Sequence, residues 1–423
     1  MTRKKILIIG NGIVGLSVAR SCLAQGHQVT IVDRNPKDHW NCSYGNAGYV
    51  SPSHFTPLAA PGVIWQGIKW MTNPKSPFFI RPRLSLEMLR WLMLFRNAAT
   101  QKRVQQAEPV LRDLLLNSMQ EHEAIFAELN CQSSLHRDGL LMLCNTQKTL
   151  EHEAHLAQRA AELGIEANCL SKTEIAELDP NIKYNIEGGV HYPGDAFMTP
   201  QHLMQKFESH LEAQGVEFLR EHEVVGIDFK NRTIESLQAK LPSQQMATLS
   251  ADEYVIASGV WSSELARHCH LRLPMEAGKG YSITIPQPPV LPKVSAILVE
   301  ARVAVTPMEQ ALRIGGTMEL GGKNNRVDRN RLEGIAHSAC QYMPELNEQL
   351  LLQQTPWFGL RPCSPDGLPY IGRSKTTQNL IIAAGHAMLG LSLGPVTGRL
   401  VSEILSGEKP CVDLALLSPD RYQ

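Results

Sequence analysis

Gly10-Asn11-Gly12-Ile13-Val14-Gly15 is the stretch on which the reading of this 423-residue chain turns. It follows a short apolar run, residues 5–9, that ends at a glycine and reads as a buried parallel strand. Residues 13–25 then have helical spacing and residues 28–33 read as a second strand, which completes a βαβ unit. Glycines at this spacing permit a tight turn, close approach of a pyrophosphate, and close packing of helix on strand. The helix N-terminus adds partial positive charge for the phosphates. Asp33 closes the second strand, where a carboxylate accepts hydrogen bonds from a ribose diol. Strand, glycines, helix and acid together predict a dinucleotide site, without saying which dinucleotide.

The length predicts two domains, because a chain of this size exceeds one ordinary core. Lys+Arg and Asp+Glu are equal at 41 each, so no net charge recommends nucleic acid as a partner, and no local basic patch is evident. Nine cysteines lack any Cys-x-x-Cys pair. They read as reduced thiols in a cytoplasmic protein, with no disulfide frame and no metal site expected. The basic start followed by apolar residues superficially resembles a signal peptide, but Gly10, Asn11 and Gly12 interrupt it and no small-residue cleavage site follows.

Further along, residues 44–62 read as a loop. Residues 84–95 are apolar almost all round. As a helix they span about 15–20 Å, short of a ~30 Å hydrocarbon core. The reading favoured is a helix buried in the second domain; the alternative is a peripheral membrane contact near Trp65, Trp70 and Trp91. Residues 108–129 and 149–163 read as amphipathic helices, and 200–214 as a further helix. Residues 139–144, 253–258, 281–285, 313–319 and 380–384 read as strands, and 395–405 as a last helix.

Near the C-terminus, Gly359-Leu-Arg-Pro-Cys-Ser-Pro-Asp-Gly-Leu-Pro-Tyr-Ile-Gly372 precedes Asn379-Leu-Ile-Ile-Ala-Ala-Gly-His386 and the glycines 390 and 394. With the first glycine motif, Ser43-Tyr-Gly-Asn-Ala-Gly48, Ser51-Pro52, Ala59-Ala-Pro-Gly62, Ile68-Lys-Trp70, Ile256-Ala-Ser-Gly-Val-Trp-Ser262 and Lys279-Gly-Tyr-Ser282, the chain resembles the D-amino-acid oxidase superfamily of FAD enzymes. The likeness runs nearly end to end and is greatest to its bacterial D-amino-acid dehydrogenase branch.

That resemblance implies an α/β fold with an FAD-binding Rossmann-like domain, residues 1–54, 186–270 and 356–423. A mixed-sheet substrate domain takes 55–185 and 271–355. It implies non-covalent FAD: Cys363 falls several residues later in the motif than the cysteine that anchors flavin in monomeric sarcosine oxidase. The implied cofactor contacts are Gly10, Gly12, Ile13, Val14, Gly15, Asp33, Arg34, Ser43, Asn46, Ala47 and Gly48 from the N-terminal part. From the rest come Val224, Gly259, Gly385, Gly390 and Leu391. Loop 43–48 lies against the flavin in that family. A helix N-terminus at Pro395 is expected to stabilise negative charge on the reduced ring.

By the same resemblance Arg361 binds a substrate carboxylate, a task that a bidentate guanidinium fork suits. The competing reading is an ion pair with Asp366. Tyr281 is expected either to add a hydrogen bond to that carboxylate or to be a packed strand aromatic. His54 and Glu319 are further substrate candidates whose plainer reading is structural. The reaction implied is hydride transfer from the α-carbon of a D-amino acid to flavin N5. The imine is then hydrolysed to a 2-oxo acid and ammonia, and the electrons pass to a quinone-type acceptor. Alternatives are a cyclic D-imino acid substrate, a 2-hydroxy acid substrate, and a non-catalytic dinucleotide-binding protein. Location is expected to be cytoplasmic or peripheral on the membrane's inner face.

Overall fold

A computed structural model describes residues 3–71, 73–83 and 85–423. The strand Lys5–Ile9 sits at the centre of a six-stranded sheet. On one side it pairs with Gln28–Val32 and then Glu217–Leu219; on the other with Glu253–Ile256 and then Leu380–Ala384, all parallel. Tyr370–Arg373 closes that edge antiparallel. Alternate residues of the first strand serve different cores. Ile6 and Ile8 pack with the helices Ile13–Ala24 and Pro200–Ala213, whereas Leu7 and Ile9 pack with Leu265, Ala266 and the Glu223–Leu249 meander. Apolar side chains on both faces are what a sheet covered on both sides requires.

The second sheet is mixed and nine-stranded. Its path runs Trp357–Cys363, Glu276–Pro286, Ala311–Leu320, Val303–Met308, Ser295–Leu298, Leu140–Cys144, Gly188–Tyr192 and Asn168–Ser171, with Phe78–Ile80 pairing off Ala311–Leu320. Two strands that the sequence division assigns to the first domain, Gly188–Tyr192 and Trp357–Cys363, are hydrogen-bonded into this second sheet.

Three elements differ from expectation. The last helix begins at Gly390, not Pro395, and runs to Ser406 with Pro395 inside it. Proline lacks the N–H that would bond the carbonyl four residues back. That carbonyl, on Leu391, instead receives the Nε2–H of buried His122 at 3.1 Å. The helix expected from residue 108 starts at Gln101, capped by Thr100, with Pro109 again internal. The helix read over 84–95 spans Leu86–Ala98, Leu84 lying outside the described residues. It is not buried all round. Met88, Trp91 and Phe95 face inward, but Leu86 is 85% and Met93 61% exposed.

Two glycines draw the first and last helices together. A Cβ on Gly398 would lie 2.3 Å from the Ser17 carbonyl oxygen, and one on Gly394 would lie 2.9 Å from the Ile13 side chain. The consequence is positional: the N-termini of Ile13–Ala24 and Gly390–Ser406 open onto the same cavity.

Candidate active site

That cavity measures about 1420 Å³ and lies between the two sheets. Typical small-molecule sites span roughly 300–1,000 Å³, so there is room for a large cofactor and a second ligand.

Its floor is the first glycine motif. Gly10 has φ +118°, and a Cβ there would meet the Ala257 carbonyl at 2.6 Å; a Cβ on Gly15 would meet the Gly10 oxygen at 1.9 Å. Only hydrogen fits at either position, which is how strand, turn and helix come close. Gly12, at the helix N-cap, has no side chain to cap the helix. The Ser43 hydroxyl takes over, accepting from Ile13 N at 3.0 Å. An acceptor oxygen already sits where a helix N-terminus receives phosphate oxygens. Asp33 is held by Asn11 N on one oxygen and by Asn35 N and Nδ2 on the other, at 2.8–2.9 Å. The first oxygen retains capacity for a ribose hydroxyl.

Among the remaining expected cofactor residues, Val14, Arg34, Asn46, Ala47, Val224 and Gly259 line the cavity, as do Gly390 and Leu391. Arg34 stacks its guanidinium 3.9 Å above the Trp261 ring. Gly15, Gly48 and Gly385 do not line it and act through the backbone. Gly48, at φ +90°, backs onto the Met198 carbonyl, and Gly385, at φ +79°, onto the Tyr370 ring.

Arg361 reaches the same cavity from the neighbouring sheet. Its Nη1 donates to the Thr317 carbonyl at 2.7 Å. No carboxylate among the described residues lies within ion-pair distance of it, and burial pulls its pKa below the usual value. The competing ion pair is absent for a specific reason: Asp366 is gripped by both ends of the Arg421 fork, at 2.8 and 2.9 Å.

Tyr281, which lines the cavity, and Glu319 are bonded to each other. The Tyr281 phenol donates to Glu319 Oε2 at 2.7 Å and accepts from Asp328 N. Glu319 is wholly buried, receives Arg81 on its other oxygen, and is not a cavity-lining residue. The phenol proton is thereby committed away from any substrate carboxylate.

His54 does line the cavity. Burial, with Arg302 nearby, pulls its pKa down to about 4. Its Nδ1 lies 3.2 Å from Ser53 Oγ, which donates to Asp195 at 2.6 Å. With the serine proton so engaged, the neutral ring carries its hydrogen on Nδ1 and leaves Nε2 as an acceptor.

Residues 5–404 match the family described as FAD dependent oxidoreductase, DAO. The chain belongs to that family. It is 30% identical over 423 residues to the D-amino acid dehydrogenases of Granulibacter bethesdensis and Bradyrhizobium diazoefficiens, covering 99% of each chain. Among solved structures, glycine oxidase from Geobacillus kaustophilus superposes with a TM-score of 0.78 over the whole of both chains at 22% identity. L-proline dehydrogenase from P. horikoshii superposes at 0.72 with 17% identity, covering 99% and 98%. FAD is therefore the dinucleotide for which the cavity is built, and the bare glycine cradle, the Ser43 hydroxyl and the held Asp33 fit it.

Two residues of this FAD site escaped the sequence reading. Arg313, 1% exposed, donates to the carbonyls of Tyr44 and Asn46 at 3.2 and 2.7 Å and so fastens loop 43–48. A lone arginine in an apolar strand was the available signal. Gly280 was quoted only as part of a motif, yet a Cβ there would lie 2.2 Å from the Arg361 guanidinium nitrogens.

Proposed function

We propose that the protein oxidises a D-amino acid at its α-carbon to the 2-oxo acid and ammonia, passing the electrons to a quinone-type acceptor. The observation that carries this reading is Arg361, a half-buried guanidinium with no acidic partner among the described residues, opening into the FAD cavity. An uncompensated buried charge is costly unless a ligand supplies its counterion. A carboxylate is the planar, bidentate partner that fits. The D-amino acid is suggested by the near-full-length relatives named D-amino acid dehydrogenase.

Bound FAD supplies the hydride acceptor, and we take it to be held without a covalent link. The Cys363 thiol does not line the cavity, and burial pushes its pKa up to about 12, so it is not a nucleophile there. Arg361 anchors the substrate carboxylate and so sets the α-carbon's position, which is the main demand of hydride transfer. Neutral His54 offers Nε2 as a hydrogen-bond acceptor toward the substrate. Loss of a hydride and a proton turns the amine into an imine, and water then releases ammonia. A quinone takes up the two electrons with two protons.

The test is product stoichiometry. One 2-oxo acid and one ammonia per reduced quinone, with little hydrogen peroxide under air, is expected. Peroxide formed at a comparable rate would remove the quinone from this reading. Flavin that stays with acid-denatured protein would remove the non-covalent link.

A further inference from the structure

Among the described residues every buried acid but one accepts a hydrogen bond. Glu108 is held by Arg159, Glu276 by Arg83 and Glu319 by Tyr281, and the rest by lysine, arginine, hydroxyl or backbone donors. Glu153 is the exception. It is 3% exposed, its carboxylate has no hydrogen bond and no ion pair among the described residues, and it lines the cavity. Burial pushes its pKa up. The nearby Glu300 has no such need, for its carboxylate already accepts from Asn145 N, Thr146 N and the Tyr342 phenol. A buried carboxylate without a donor is costly, and a ligand in the cavity can supply what the fold withholds.

The surroundings define that ligand. Glu153 sits on the helix Gln147–Glu162, which packs on the strand Gly188–Tyr192 of the second sheet, not on the sheet of the glycine motif. Phe55, Met142 and Leu156 give the cavity an apolar wall at this end. Tyr192 lines it too, and its phenol makes no hydrogen bond among the described residues. Arg302 acts electrostatically on both Glu153 and His54, so the carboxylate and that histidine share one end of the cavity. Arg302 itself is exposed, so water screens its charge, whereas Glu153 is desolvated.

We infer that Glu153 selects the substrate's side chain, pairing with an ammonium or guanidinium carried at the end of an aliphatic stem. The apolar wall accommodates the methylenes, and the carboxylate takes the cation in a charge-assisted hydrogen bond. A neutral side chain of the same length leaves Glu153 without a counter-charge, and an acidic one meets like charge. The inference rests on the D-amino acid reading above and names its substrate class, D-amino acids with basic side chains.

The experiment is steady-state kinetics of purified holoenzyme with D-arginine, with D-citrulline, whose neutral urea has nearly the shape of the guanidinium, and with D-alanine. Wild type is expected to favour D-arginine over D-citrulline by about 10–100-fold in kcat/KM, the range of a hydrogen bond to a charged group. Glu153→Gln, nearly isosteric, should remove most of that preference. Glu153→Asp keeps the charge on a shorter stem and should retain part of it. Both variants should keep their FAD, since the glycine motif lies on the other sheet. A merely structural Glu153 would lower turnover of both long substrates together and leave their ratio unchanged, which would overturn the inference. So would a wild type that takes D-citrulline as well as D-arginine. In either case oxidation of D-alanine shows that the D-amino acid reading still stands. If none of the three substrates reduces the flavin, that reading is overturned and this inference with it, so the two failures are told apart.

Discussion

The Arg361 guanidinium occupies the space that a side chain on Gly280 would fill: their strands are neighbours, and a Cβ on Gly280 would lie 2.2 Å from both terminal nitrogens. Gly280 is thus a positioning residue for Arg361. Gly280→Ala must push the fork aside by about a methyl group's width. Displacement of about 1 Å costs on the order of a hundredfold in rate. A fall of roughly 10–100-fold in kcat/KM is expected, with FAD content unchanged because the dinucleotide is held from the other sheet. Steady-state kinetics against flavin content checks this, and wild-type kinetics in Gly280→Ala would show the fork is not where the substrate binds.

Arg361→Ala should lower kcat/KM by about a hundred- to several-thousand-fold, the rate equivalent of the roughly 3–5 kcal/mol lost when one partner of a buried pair is removed. Arg361→Lys should recover only part, since an ammonium cannot make the planar fork. If Arg361→Ala instead loses its flavin, the residue is structural.

Arg313→Met should loosen loop 43–48. It leaves the Tyr44 and Asn46 carbonyls without their donor, at about 1–3 kcal/mol for each unsatisfied group. Weaker FAD retention is expected, read as release of free flavin on dilution, together with a lower Tm. Retention and Tm equal to wild type would show that the loop holds itself.

Acid should destabilise the fold through buried neutral histidines. Burial holds His122 down at about 4 and His386 at about 3, against 6.5 for the free side chain. As pH falls below about 6.5 the unfolded chain binds protons that the folded chain refuses, so stability is full above that pH and declines below it. The decline reaches up to about 2 kcal/mol per group near pH 5. His122→Gln keeps a donor for the Leu391 carbonyl and removes one proton from the balance. Its Tm should fall less between neutral and acid pH than that of wild type; parallel curves would contradict the assignment.

The middle of the parallel sheet was legible because three of its five strands are short apolar runs leading to Gly10, Gly259 or Gly385, where backbone geometry leaves a mark in composition. What was not legible depended on distant partners. Pro395 reads locally as a helix start, and only His122, far away in sequence, allows it inside a helix. Leu86, Leu89 and Met93 read as core because apolar residues usually are; nothing in the sequence says that this face lacks a covering element. Tyr281 was found, but its proton's destination depends on Glu319, across the strand pair. Arg361 was read from a motif, whereas its lack of an acid partner follows from Arg421 having taken Asp366.

The central claim is that a D-amino acid, gripped by its carboxylate, reduces the flavin. Anaerobic mixing of the purified enzyme with a panel of D-amino acids, their L-enantiomers and the corresponding decarboxylated amines tests it most directly, read as loss of the flavin's visible absorption. The account predicts bleaching by at least one D-amino acid, little by its enantiomer, and none by the amine at the same concentration. Bleaching by the amine as fast as by the acid, or by L-amino acids alone, would contradict it.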